Sequence, residues 1–127
     1  MTNLFKDALH LTRKDFKIDG NDVIVTNPNF NQKNGCLMIY APWCPHCQMK
    51  DDFINNFSLD NTIKDENFKI AVADGNQPDM ADITEKLGLK GFPTFYYVIC
   101  NEEGNLMKEF DEKGNNFLMK MMEHFSN

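Results

Sequence analysis

Cys44-Pro45-His46-Cys47 stands where an apolar run, Leu37-Met38-Ile39, gives way to a stretch over residues 48–57 that contains no glycine or proline. The run reads as a buried strand and the stretch after it as a helix, so the two cysteines fall at a strand-to-helix junction. In a chain that alternates strands and helices, Cys-x-x-Cys at such a junction has the pattern of a redox dithiol. A helix N-terminus presents N–H groups without helical partners and a partial positive charge, and both favour a thiolate at Cys44. Pro45 suits the first turn, where its missing N–H has no helical acceptor to lose.

The rest of the chain supplies the alternation. Residues 36–40 read as a strand, and the helix after the motif repeats Met49, Phe53 and Phe57 every fourth position with Ile54 beside them, one apolar face. Residues 58–67 form a polar connection, 68–73 a second central strand, and Asp79 is placed to cap a helix through Met80, Ile83 and Leu87 that Gly88 closes. Gly91-Phe92-Pro93 introduces an aromatic strand over 94–99, and a turn at 102–105 returns the chain into 106–110 as its antiparallel partner. Asn115 or Asn116 caps a last helix with Phe117, Leu118, Met121, Met122 and Phe125 on one side. The order βαβαββα makes the first two of these strands parallel, because a helix crosses between them. Residues 1–35 are less regular: 9–12 suit a short strand, Asp19-Gly20-Asn21 a turn between 16–18 and 23–25, and 27–35 a loop.

The chain has 127 residues, enough for one domain with a core that needs no disulfide staples. Residues 1–35 read as its variable N-terminal part and 36–127 as its core. A net charge of −6 argues against nucleic acid or an anionic membrane as a partner, and no apolar run approaches the length of a membrane span. Residues 1–7 carry no basic segment followed by an apolar block, and 124–127 are not a retention signal. The expectation is an intracellular, cytoplasmic chain, although a processed mature chain would read the same. Cys-x-x-Cys can also hold zinc, but no second ligand pair stands at suitable spacing and His10 and His124 are isolated, so no metal is expected.

Tyr40-Ala41-Pro42-Trp43-Cys44, His46-Cys47 and Gly91-Phe92-Pro93-Thr94, together with the element order, resemble the thioredoxin-fold family over roughly three quarters of the chain. In motif the chain is most similar to a protein disulfide isomerase catalytic domain. The resemblance implies an α/β thioredoxin fold, a central mixed sheet flanked by helices on both faces. It also implies a thiol–disulfide oxidoreductase that exchanges disulfides with protein substrates, works with a redox partner and needs no cofactor. Cys44 matches the exposed nucleophile and Cys47 the buried resolving cysteine. Pro93 matches a cis-proline facing the dithiol, Phe92 the residue whose backbone pairs with substrate, and Trp43 an aromatic at the substrate surface. A trans turn proline at 93 and a core tryptophan at 43 are the plainer readings. Pro45-His46 is also what bacterial periplasmic disulfide-forming oxidases carry. An imidazolium near the Cys44 sulfur stabilises the reduced form, so the expected couple is more oxidising than that of a Gly-Pro thioredoxin, unless His46 is simply solvated.

Two positions depart from the family pattern. Met38, six residues before Cys44, replaces a buried acid that assists the resolving cysteine. Asp74 is a candidate substitute, or simply a turn residue. Asp52 stands where many members have a helix-kinking proline, so a straighter helix is expected. Placing Tyr40 opposite Thr94 brings Cys36 near Cys100 on one sheet face, either as two reduced apolar side chains or as a second thiol pair. The alternative to an enzyme is a thioredoxin-fold binding or assembly module that uses the Trp43–Pro93 surface to hold partners.

Overall fold

The computed structural model describes residues 4–30, 33–59, 68–102 and 104–110. The expected last helix and the polar connection from 60 onward lie outside these residues, as does the side chain of Phe57. The strands are β1 (Leu9–Leu11), β2 (Phe16–Asp19), β3 (Asp22–Val25), β4 (Asn34–Tyr40), β5 (Phe68–Asp74), β6 (Thr94–Asn101) and β7 (Gly104–Phe110). The helices are α1 (Pro45–Gln48), α2 (Asp51–Leu59) and α3 (Ala81–Leu87). The strands form one sheet in the order β1-β5-β4-β6-β7-β3-β2. β4 runs parallel to β5 and antiparallel to β6, so the motif strand is central and the sheet is mixed. The irregular N-terminal part belongs to the same sheet: β1 lies parallel to β5, and the β2–β3 hairpin turning at Gly20 joins the edge of β7.

Alternation along β4 sorts its side chains between two cores. Cys36, Met38 and Tyr40 face a cluster with Phe5, Ile54, Phe95 and Phe110, covered by α2. Leu37 and Ile39 face the other, with Phe30, Met80, Ile83 and Tyr96, covered by α3. Helices therefore lie on both faces, as the resemblance implies. β4 carries apolar side chains on both faces because it is buried on both, as a central strand must be.

Three local expectations are corrected. The helix after the motif is not straight: it breaks between Gln48 and Asp51, where the Lys50 N–H bonds to Cys47 O at 3.0 Å, a tight three-residue turn. The break turns Met49 out of the apolar face, leaving it 78% exposed while Ile54 is buried. Asp79 does not cap α3; it lies within a 3₁₀ turn over Pro78–Met80, and Met80 occupies the cap. Gly88 does close α3, in the left-handed conformation at φ 67°.

The third correction concerns register. Ile39, not Tyr40, stands opposite Thr94, so Cys36 faces Tyr97. A one-residue slip exchanges the faces of every side chain on a strand. Cys36 is buried with Met38 and Tyr97, whereas Cys100 follows the opposite parity and is half-buried, its N–H bonded to Asn34 Oδ1 at 2.8 Å. All four cysteines are free thiols.

Candidate functional site

The site gathers at the C-terminal ends of β4 and β5, where α1 and the loop before β6 meet. Tyr40 ends β4, and the Cys44 N–H bonds to Ala41 O at 3.1 Å, folding the chain into a turn. The Gln48 side chain bonds back to Pro42 O at 2.7 Å and ties that turn to α1. Cys44 is the N-cap of α1 in extended backbone conformation, with Pro45 in the first turn. Cys44 is not exposed as the resemblance implies: it is 4% exposed, covered by the Phe92 segment, and Cys47, one turn along, is fully buried. Pro45 and His46 between them are exposed.

The second wall is Gly91-Phe92-Pro93-Thr94. The Phe92–Pro93 peptide bond is cis, and Thr94 Oγ1 donates to Gly91 O at 2.7 Å across the loop. Phe92 turns its carbonyl toward the dithiol, where it accepts from Cys44 Sγ at 3.5 Å. Its ring meets Trp43 edge-on, with centroids 5.9 Å apart and planes at 88°. Trp43 is 62% exposed, so it is not a core residue. An aromatic pair of this geometry contributes about 0.5–1.5 kcal/mol beyond its buried area.

Burial pushes the Cys47 thiol up to about 12, helped by the neighbouring Cys44; a backbone bond with Ala41 and the Lys50 ammonium oppose the shift. Met38 is fully buried in the same cluster as both thiols and supplies no carboxylate. Asp74 does not replace it: its oxygens are taken by the Asn76 N–H at 2.9 Å and Gln77 Nε2 at 3.0 Å, the role of a turn residue. Tyr40 is raised to about 12 as well, chiefly by burial and then by Asp74 and Cys47.

Two contributors had little signal in the sequence. Phe5, in the irregular N-terminal part, is fully buried against Tyr40, with ring centroids 4.9 Å apart. It is held by Asp51 Oδ1, which accepts its N–H at 2.6 Å, and by its carbonyl, which accepts from His10 Nε2 at 2.8 Å. Gly75 is the other, and its proximity to Phe92 is visible only in three dimensions. Cys36 and Cys100 take no part in the site. No helix among the described residues is long and apolar enough to cross a membrane.

Residues 12–124 match the family described as Thioredoxin. A stretch of 86 residues is 33% identical to mouse protein disulfide-isomerase A5, covering 63% of this chain and 15% of that protein. A stretch of 79 residues is 35% identical to Arabidopsis thaliana protein disulfide isomerase-like 1-1, covering 62% and 15%. The chain thus spans about 15% of the length of these relatives. Among solved structures, the Trx4 domain of ERdj5 superposes with a TM-score of 0.67 at 15% identity, over 95% of this chain and 96% of that one. Spinach chloroplast thioredoxin f in its short form gives 0.65 at 14%, over the whole of both chains. At these identities the structural likeness concerns the fold.

Proposed function

The chain belongs to the thioredoxin family, and on that premise we propose that it exchanges disulfides with protein substrates through Cys44 and Cys47. The reading rests on the dithiol at the start of α1, with the Cys44 thiol against the Phe92 carbonyl and Cys47 fully buried one turn along. Cys44 thiolate attacks a substrate disulfide, forms a mixed disulfide and expels one substrate thiolate, which takes up a proton. Cys47 then loses its proton and attacks the Cys44 sulfur, releasing the second substrate thiol and leaving the Cys44–Cys47 disulfide. The substrate gains two electrons and two protons, and the reverse sequence oxidises it. Trp43, Phe92 and Pro93 form the surface on which substrate lies, with the Phe92 backbone as its strand partner.

The Pro45-His46 pair favours the oxidising direction through His46, whose ring, when protonated, puts positive charge near the Cys44 sulfur and stabilises the reduced protein. Equilibration with a glutathione buffer measures this; a potential as low as thioredoxin's refutes the role given to His46. The raised Cys47 thiol and the apolar Met38 make resolution the slow half of the cycle. Reduction of insulin disulfides by dithiothreitol tests the reading as a whole. Wild type accelerates it and Cys44→Ser does not; equal rates favour the binding or assembly module instead.

A further inference from the structure

Gly75 follows β5 directly, and its N–H donates to Tyr40 O at 2.8 Å, which fixes its backbone against the end of the motif strand. Its φ is not among the positive values found at Gly20, Gly88 and Gly104, so its backbone conformation would admit alanine. Space would not. A Cβ there would stand 2.5 Å from Ile39 Cγ2 and 2.9 and 3.5 Å from two carbons of the Phe92 ring. Ile39 is fully buried and cannot withdraw, whereas the Phe92 ring is only half-buried and is the group free to yield. The same residue accepts from the Cys44 thiol through its carbonyl and meets Trp43 through its ring. We propose that Gly75 is a positioning residue for the nucleophile. By having no side chain, it lets the Phe92 ring lie over the end of β5, and that seating sets both the Phe92 carbonyl against Cys44 and the edge-on contact with Trp43. The inference rests on the thiol–disulfide reading of the site, but the placement it asserts can be measured without exchange activity.

The test is a double-mutant cycle of Gly75→Ala and Phe92→Val. Trp43 is the only tryptophan in the chain, so its emission reports directly on the aromatic pair. Two rates accompany it: alkylation at Cys44 followed by mass spectrometry, and reduction of a small peptide disulfide. In the wild-type background Gly75→Ala shifts the emission and slows both reactions, on the order of ten- to a hundredfold, as a sub-ångström to ångström misplacement of reacting groups does. In the Phe92→Val background the aromatic pair is absent and the two rates carry the comparison: the same substitution costs several-fold less there, because the contact with the ring is gone and only that with Ile39 Cγ2 remains. Equal losses in both backgrounds, or no change in either, overturn the proposal. Should Gly75→Ala not fold alone, Ile39→Ala is added to every arm to remove the overlap with Ile39 Cγ2; recovery of folding only when Phe92→Val is also present supports the proposal, and recovery without it, or none at all, counts against it. If wild type does not reduce the peptide, the functional reading fails by itself, while emission and Cys44 alkylation still decide the placement.

Discussion

Cys44 and Cys47 share one turn of helix, whereas Cys36 and Cys100 lie on adjacent strands, and the two pairs come to opposite ends. The first pair meets because a helical turn brings positions three apart onto one face, whatever the rest of the chain does. The second depends on the register of β4 against β6, which places Tyr97 opposite Cys36. Cys100 is three residues farther on, about 10 Å along the strand, and its side chain faces the other way. No disulfide spans that separation without moving the backbone. Cysteine spacing within a helix is thus a chemical statement, while proximity on a sheet is a claim about register.

The largest effect expected of this contrast is in exchange activity. Cys44→Ser reduces insulin reduction to the uncatalysed background, while Cys36→Ser and Cys100→Ser leave it intact; a loss in either of the latter would merge the two pairs. Next in size, Cys47→Ser preserves attack by Cys44 but not resolution. Substrate proteins should then remain attached through Cys44, visible as bands that disappear on reduction; no trapped partner while Cys44 still alkylates would remove the support for exchange.

A third prediction separates the thiols by pH. Burial holds the Cys47 thiol well above neutral pH, so its thiolate fraction, and with it the resolution rate, rises about tenfold per pH unit through the neutral range. Stability moves the other way. The unfolded Cys47 thiol ionises near 9 and the folded one near 12, so above pH 9 the unfolded state binds fewer protons and stability falls as pH rises. Melting temperatures of the reduced protein should drop more steeply between pH 9 and 11 than those of Cys47→Ser. The smallest effect concerns the other pair. With Cys44 and Cys47 both replaced by Ser, mild oxidation should form no intramolecular bridge, read as no mass loss of two hydrogens. Cys100 should also alkylate well before the buried Cys36, whose thiol burial raises strongly.

The parts legible in the sequence were those fixed by local rules. The run before the motif, the missing helix breakers after it and the turn at Asp19-Gly20-Asn21 each report on neighbours within a few residues. The strand at 9–11 and the hairpin stand where they were expected. The misplacements share a cause. Met49 matched a four-residue repeat, but the tight turn at Lys50 rotated it into solvent. Asp79 had the chemistry of a cap, but the helix began two residues later. Phe5 falls in the less regular N-terminal part of the sequence, yet it fills the core beside Tyr40, because burial is decided by what packs opposite.

For the site itself, the residues alone determined the dithiol and its place at the start of a helix, which follow from spacing and residue type; that Gly91-Phe92-Pro93-Thr94 faces the dithiol was implied by the family resemblance. Tertiary structure alone decided that Cys44 is buried as well as Cys47, where the Phe92 carbonyl points, that Asp74 is spent in a turn, and how little space Gly75 has beside Ile39 and Phe92. Each of those depends on the distance between groups far apart in the chain, set by strand register and close packing rather than by any neighbouring residue.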